Sequence, residues 1–280
     1  MAPVTRGRLT PKRRGEKVLR AVRPNIGLET EFRRALTKQI DALHRSVLYW
    51  TKAAYNQNEP TIVALAQDET PAAALLRAIR GLRKRWLKRF DVASVKLAEY
   101  FATAVKDRSD AALKKILKDG GFAVEWRMTP AMRDVMGATV GEQVGLIKTI
   151  PARYFDQIEG AVMRSVSTGR DLKQLTDDIE KIGDVTRKRA AFIARDQSNK
   201  ATATMTRTRQ LETFGAEAEA QWLHSGGGKV PRPSHLKAGK DKVRYKVSDG
   251  WLDPAINKRI WPGTEINCRC AGKMIVPGFS

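Results

Sequence analysis

Thr186 to Gly215, TRKRAAFIARDQSNKATATMTRTRQLETFG, is the stretch from which the fold reads outward. Threonine is a good helix N-cap, glycine a good helix stop, and nothing between them breaks a helix. Before Thr186 the chain is helical in pattern; after Gly215 the composition changes. Gln221–His224, Arg244–Val247 and Ile260-Trp261 are candidate strands, punctuated by the Gly226-Gly227-Gly228 loop and by turns at Asp249-Gly250 and Pro262-Gly263. The expected class is α+β, with a mainly α-helical body to about residue 215 and a small loop-rich, β-containing C-terminal module.

Within that helix Phe192, Asp196, Asn199 and Ala203 step by 4, 3 and 4, so a carboxylate and an amide share a face with apolar groups. Buried polar groups must be hydrogen-bonded. Arg195, Asp196 and Asn199 therefore read as a structural network that fixes the helix register, in preference to an acid–base pair.

Upstream, Phe32, Leu36, Ile40, Leu43, Val47, Trp50 and Ala54 form one stripe on a helix of about seven turns. His44 lies beside the stripe and reads as a surface or half-buried helix residue. Thr70-Pro71 opens a second helix carrying Leu75, Ile79, Leu82, Trp86 and Phe90 on one side. A third spans Asp91 to about Lys106, and a fourth Asp110 to Lys118, closed by Gly120-Gly121. Phe122–Met128 reads as extended. Thr129-Pro130 starts another helix, which Ile150-Pro151 should break. Ile158, Val162 and Val166 then mark a helix ended at Gly169, and Leu172, Leu175 and Ile179 one ended at Gly183. The resulting division is a basic flexible arm over 1–25, a basic helical region over 26–128, a helical part over 129–215 and the β/loop module over 216–280.

Charge narrows the function. The chain of 280 residues carries 52 Lys and Arg against 30 Asp and Glu, a net charge of +22. Such an excess repels itself unless a polyanion neutralises it, and nucleic acid is the obvious one. The first 25 residues hold eight basic side chains against Glu16 alone. Between Pro71 and Phe90 there are seven, Arg77, Arg80, Arg83, Lys84, Arg85, Lys88 and Arg89, and no acid. A solvated face would mix signs. Lys12, Arg13, Arg14, Arg83, Lys84, Arg85, Lys88 and Arg89 are the candidate nucleic-acid-binding residues. No apolar run approaches the roughly 20 residues that span a bilayer, so no membrane partner is expected.

Both cysteines, Cys268 and Cys270, sit one residue apart, with His235 in a Pro-Arg-Pro-Ser-His element upstream. A bridge across one residue would be strained, which points to a reducing compartment. His235, Cys268 and Cys270 are candidate metal ligands; a structural zinc would need a fourth donor, with His224 or Asp253 available. The alternative is a pair of buried free thiols beside a His. No oxyanion turn, phosphate-cradling Lys-Ser/Thr or metal-nuclease pattern accompanies them, so catalysis is not expected.

Taken in order, Ile193-Ala194-Arg195-Asp196 followed by Asn199, then Gly215, Trp222, Arg232-Pro233-Ser234-His235, Pro262-Gly263 and Ile266-Asn267-Cys268-Arg269-Cys270 resemble the phage Mu protein F-like family of head morphogenesis, or minor head, proteins. The likeness covers about Gln143 to Ser280. Many relatives carry acidic residues just before the Arg-x-Ser-His element, where this chain has Gly227, Gly228 and Lys229. The resemblance implies a virion component inside the head at the portal vertex, made in the host cytoplasm. It implies the portal protein and packaged double-stranded DNA as partners, with scaffold and major capsid protein as further candidates. The competing reading is a metal-dependent hydrolase or toxin-like enzyme using His235, Cys268 and Cys270. A sequence-specific regulator would need a recognition-helix pair, and none is evident.

Overall fold

Long helices dominate because apolar residues recur at helical spacing over stretches with few breakers. In a computed structural model that describes residues 15–57, 71–167, 172–227 and 230–277, the chain forms four of them. They are α1 (Ile26–Gln57), α2 (Pro71–Asp119), α3 (Pro130–Ser167) and α4 (Leu172–Phe214). A short α5 (Pro233–Lys240) follows, with strands β1 (Glu16–Val18), β2 (Glu219–Leu223), β3 (Arg244–Lys246), β4 (Trp251–Asp253), β5 (Lys258–Ile260) and β6 (Ala271–Pro277). The protein is α+β and mainly helical, as its sequence indicates.

Four expected breaks are continuous helix instead. The expected helix ending at Phe90 and the segments Asp91–Lys106 and Asp110–Lys118 are parts of one α2, which erases two of them. Pro151 lies inside α3. It denies a hydrogen bond to the Ile147 carbonyl, but Ile147, Ile150, Tyr154 and Phe155 around it are buried at 1% exposure or less. Packing of that extent outweighs one lost backbone bond. Gly183 does not stop α4: a Cβ there would lie 2.6 Å from Cε1 of His44. The glycine is the space into which a buried imidazole fits. Thr186, about four turns from the real helix start, donates its hydroxyl to the Ile182 carbonyl at 2.8 Å and is not an N-cap.

The terminators at Gly120-Gly121 and Gly215 do act as such. After α2, the Phe122 N–H reaches the Leu117 carbonyl at 2.8 Å and the Gly121 N–H reaches Lys118 at 2.9 Å, the Schellman pattern. Phe122–Met128 is not a strand. It is an irregular segment whose Phe122, Val124 and Trp126 pack with Leu113 and Leu117. Thr129 caps α3 by accepting the Met132 N–H at 3.1 Å.

By internal contacts the chain falls into two compact units, which cut across the four-part division read from the sequence. One comprises Thr30–Glu99 and Gly141–Ala194; the other comprises Met1–Glu29, Tyr100–Val140 and Arg195–Ser280. In the first, the α1 stripe is buried at Phe32, Leu36, Ile40, Leu43 and Val47, and the α2 stripe from Leu75 to Phe90. Trp50 departs from the expected stripe, at 44% exposed. His44 is also not superficial. It is 3% exposed, with Nδ1 2.9 Å from the Tyr154 hydroxyl and Nε2 2.8 Å from Glu180. Burial, with the Glu180 charge behind it, pushes the Tyr154 hydroxyl pKa up.

The second unit contains a four-stranded antiparallel sheet in the order β1-β6-β2-β3 and a separate β4-β5 ribbon. Residues 1–14 of the expected arm, with Lys12, Arg13 and Arg14, lie outside the described residues. The rest of that arm is structured. Lys17 pairs with Val276 and Val18 with Ile275, while Leu19 and Val22 join a core with Leu113, Leu117, Met274 and Val276. Strand β2 alternates, burying Ala220 and Trp222 in a second cluster with Tyr245, Val247, Cys268 and Cys270.

Candidate functional site

Three backbone devices bring His235 to the two thiols. Pro233 begins α5, where its missing N–H is harmless and its fixed φ suits the first turn. That places His235 on the same turn, 3% exposed. Arg232, just before it, donates from Nη2 to the Ile266 carbonyl at 2.9 Å and ties the start of α5 to the cysteine loop. The loop itself turns tightly. The Thr264 N–H bonds the Trp261 carbonyl at 3.2 Å and the Cys268 N–H bonds that of Glu265 at 2.9 Å, with Asn267 at a φ of 58°.

The result is a closed constellation. His235 Nδ1 lies 3.5 Å from Cys268 Sγ and 4.0 Å from Cys270 Sγ. All three donor atoms fall within 4.8 Å of one another, and all three residues are buried. The Gly263 N–H points at Cys268 Sγ, 3.4 Å away. The hydrogen bond from Cys270, then that from His235, holds the Cys268 thiol well below its ordinary pKa despite burial. Cys270, sharing its proton with Cys268 and itself buried, is pushed up. Trp222 and Trp251 wall the imidazole, with ring centroids 5.1 and 6.4 Å from it.

Asp253, one of the residues that could complete a ligand set, lies on the other side of the ring. Its Oδ2 is 3.5 Å from His235 Nε2, and the carboxylate accepts the Ser234 hydroxyl at 3.0 Å and the Ala255 N–H at 2.9 Å. Because Nδ1 faces the sulfurs, a carboxylate on Nε2 cannot bind the same ion. His224 is not brought to the cluster; its Nδ1 accepts the Gly226 N–H at 3.1 Å.

The α4 residues split. Asp196 is 5% exposed, and its Oδ1 accepts the Asn267 N–H at 2.5 Å, while Lys200 Nζ lies 3.3 Å from Oδ2. Asp196 thus anchors the loop that carries the cysteines. Arg195 does not join it. It borders a cavity of about 480 Å³ with Arg23, Arg269 and Asn199, where Arg195 Nε and Asn199 Nδ2 are buried without a partner. Three guanidinium groups around one hollow make an anion-receptive wall, alongside the carboxylate of Glu29.

The candidate phosphate-facing residues of α2 also divide. Lys84, Arg85, Lys88 and Arg89 are exposed. The Arg85 guanidinium sits 5.8 Å from the Trp50 ring and that of Arg89 4.7 Å from Trp86. Arg83 is committed elsewhere, with Nη1 2.6 Å from Asp156 and 3.2 Å from Glu159. The hydrogen bond to Asp156 raises its pKa against burial.

One polar centre gave no sequence signal. Arg209, 2% exposed, meets Asp110 through two bonds of 2.9 Å, Glu212 at 2.8 Å and the Arg127 carbonyl at 2.9 Å. Asp110 is 99 residues away along the chain, and only helix pairing brings it there.

These residues, from the α4 face to Cys270, fall within a recognised protein class. Residues 156–272 match the family described as Phage Mu protein F like protein, so this part of the chain is similar to that family, as the ordered motifs suggest. Among curated relatives, an uncharacterized protein of Haemophilus influenzae (strain ATCC 51907 / DSM 11121 / KW20 / Rd) is similar. It is 35% identical over 144 residues, which is 51% of this chain and 30% of that protein. The chain therefore spans under a third of the length of that relative. No solved structure matches. That family is of a phage head type. No described helix is long and apolar enough to cross a membrane.

Proposed function

We propose that this protein is a minor head protein that works in phage head morphogenesis, sits with the portal inside the virion and lies against packaged DNA. The Mu F-like region supports the head assignment and an association with other head components. The DNA contact rests on one observation: Arg80, Lys84, Arg85, Lys88 and Arg89 project from α2 as an exposed cationic face. Exposed cations bind phosphate without reading sequence, since the gain is counterion release. Arg83 is left out, because its charge is already matched by Asp156 and Glu159.

Replacing Lys84, Arg85, Lys88 and Arg89 by Gln should lower the salt slope of duplex binding by about 3–4, at 0.9 per phosphate contact. Binding of the same strength and slope before and after would remove this face as the contact. Copurification with the portal ring, and mass spectrometry of full and empty heads, test the location. Absence from purified heads would end the proposal.

The enzymatic alternative fares worse. A hydrolytic metal needs an open coordination position that substrate can reach, whereas His235, Cys268 and Cys270 are 3, 3 and 8% exposed.

A further inference from the structure

We infer that His235 Nδ1, Cys268 Sγ and Cys270 Sγ are three ligands of a structural zinc ion, and that Asp253 is the positioning residue that sets the imidazole for it. Four independent features converge. The first is spacing. On a tetrahedral zinc with bonds of about 2.0 Å to nitrogen and 2.3 Å to sulfur, the two donors stand about 3.5 Å apart. The separations here are 3.5 and 4.0 Å. They match a shared ion at least as well as they match hydrogen bonds between a ring nitrogen and a thiol.

The second is the orientation of the ring. A metal-binding imidazole gives one nitrogen to the ion and donates the other N–H to a carboxylate or carbonyl. Asp253 is 1% exposed and faces Nε2. Its own oxygens are fixed by Ser234 and Ala255. That carboxylate stands against Nε2, which makes no hydrogen bond among the described residues, so Nδ1 is the ring nitrogen presented to the sulfurs. The third is the Gly263 N–H aimed at Cys268 Sγ, a backbone donor directed at the proposed ligand atom. The fourth is the distribution of polarity. Two thiols, an imidazole and a carboxylate converge inside an otherwise apolar cluster of Ala220, Trp222, Val247 and Ile260.

The role follows from what the ion would join. Helix α5 and the Trp261–Cys270 loop are short, irregular pieces with few apolar side chains of their own. A metal crosslinks them within the buried cluster. Three protein donors leave one vertex for a water-sized ligand. Burial keeps substrates away from it, so the ion holds structure.

The test uses the full chain, purified under reducing conditions without chelators. One zinc per chain by elemental analysis is expected. Cobalt replacement should give a tetrahedral spectrum with thiolate charge-transfer bands, and chelation should lower the melting temperature. Cys268→Ser should lose the metal. Since that variant could fold poorly, Asp253→Asn provides the second arm. It keeps all three ligands and should weaken zinc about 10–100-fold in competition with a chromophoric chelator, with an unchanged far-ultraviolet circular dichroism spectrum. Wild-type protein that takes up no stoichiometric zinc when the ion is supplied, or a cobalt form without thiolate bands, overturns the inference. Asp253→Asn with wild-type affinity overturns the part given to Asp253.

Discussion

Replacing Gly183 by Ala in the middle of α4 should change sign depending on what stands at position 44. In the natural background the new methyl group would lie 2.6 Å from Cε1 and 2.8 Å from Nδ1 of His44. The ring cannot retreat freely, because its two nitrogens are held 2.9 Å from the Tyr154 hydroxyl and 2.8 Å from Glu180. Overpacking of this kind costs about 1–3 kcal/mol. Alanine returns about 1 kcal/mol through helix propensity. The net expectation is a loss of up to about 2 kcal/mol, and more if the ring shifts and abandons its buried partners. With His44→Ala in place the collision is gone and only the propensity gain remains. Gly183→Ala should then stabilise by about 1 kcal/mol. Equilibrium urea unfolding of the four proteins measures the cycle, and a coupling of about 1–3 kcal/mol is expected. An identical effect of Gly183→Ala in both backgrounds would refute the claim that the glycine exists to house the imidazole.

Other outcomes follow from the same kind of accounting. Arg209→Met should cost about 3–5 kcal/mol, because it strands Asp110 and Glu212, 14 and 13% exposed, without their cation. Adding Asp110→Asn should recover part of that loss in thermal unfolding, and an unshifted single variant would contradict it. Gly263→Ala should destabilise by more than the about 1–2 kcal/mol of a left-handed residue. Its φ is 88°, and the added carbon would lie 2.9 Å from Ala203 Cβ and 3.1 Å from the Cys270 carbonyl. Thermal melting and zinc uptake should fall together.

Apolar spacing made α1 and the first half of α2 readable, since a stripe such as Leu75-Ile79-Leu82-Trp86-Phe90 has one explanation. Local breakers misled wherever packing outweighed them. Pro151 and Gly183 are strong stop signals in isolation, yet one is buried in a dense core and the other accommodates a ring from α1. Strand β1 gave no signal because three residues, Glu16, Lys17 and Val18, are exposed and polar enough to resemble a tail; their partner is at the far end of the chain. The grouping of His235 with Cys268 and Cys270 was legible from the sequence, and the side of the imidazole that Asp253 takes was not. Side-chain orientation of that kind depends on how the β4-β5 ribbon packs, which no local pattern encodes.

The antiparallel pairing of β1 with β6 bears on how the molecule can be handled. Trimming the amino terminus back past Val22, as its arm-like composition invites, would strip the partner from a seven-residue strand. Met274 and Val276 would lose Leu19 and Val22 as cover. The cut would leave a naked, apolar sheet border open to intermolecular pairing. Insolubility after such a deletion would report a missing strand, and would say nothing about the first fourteen residues.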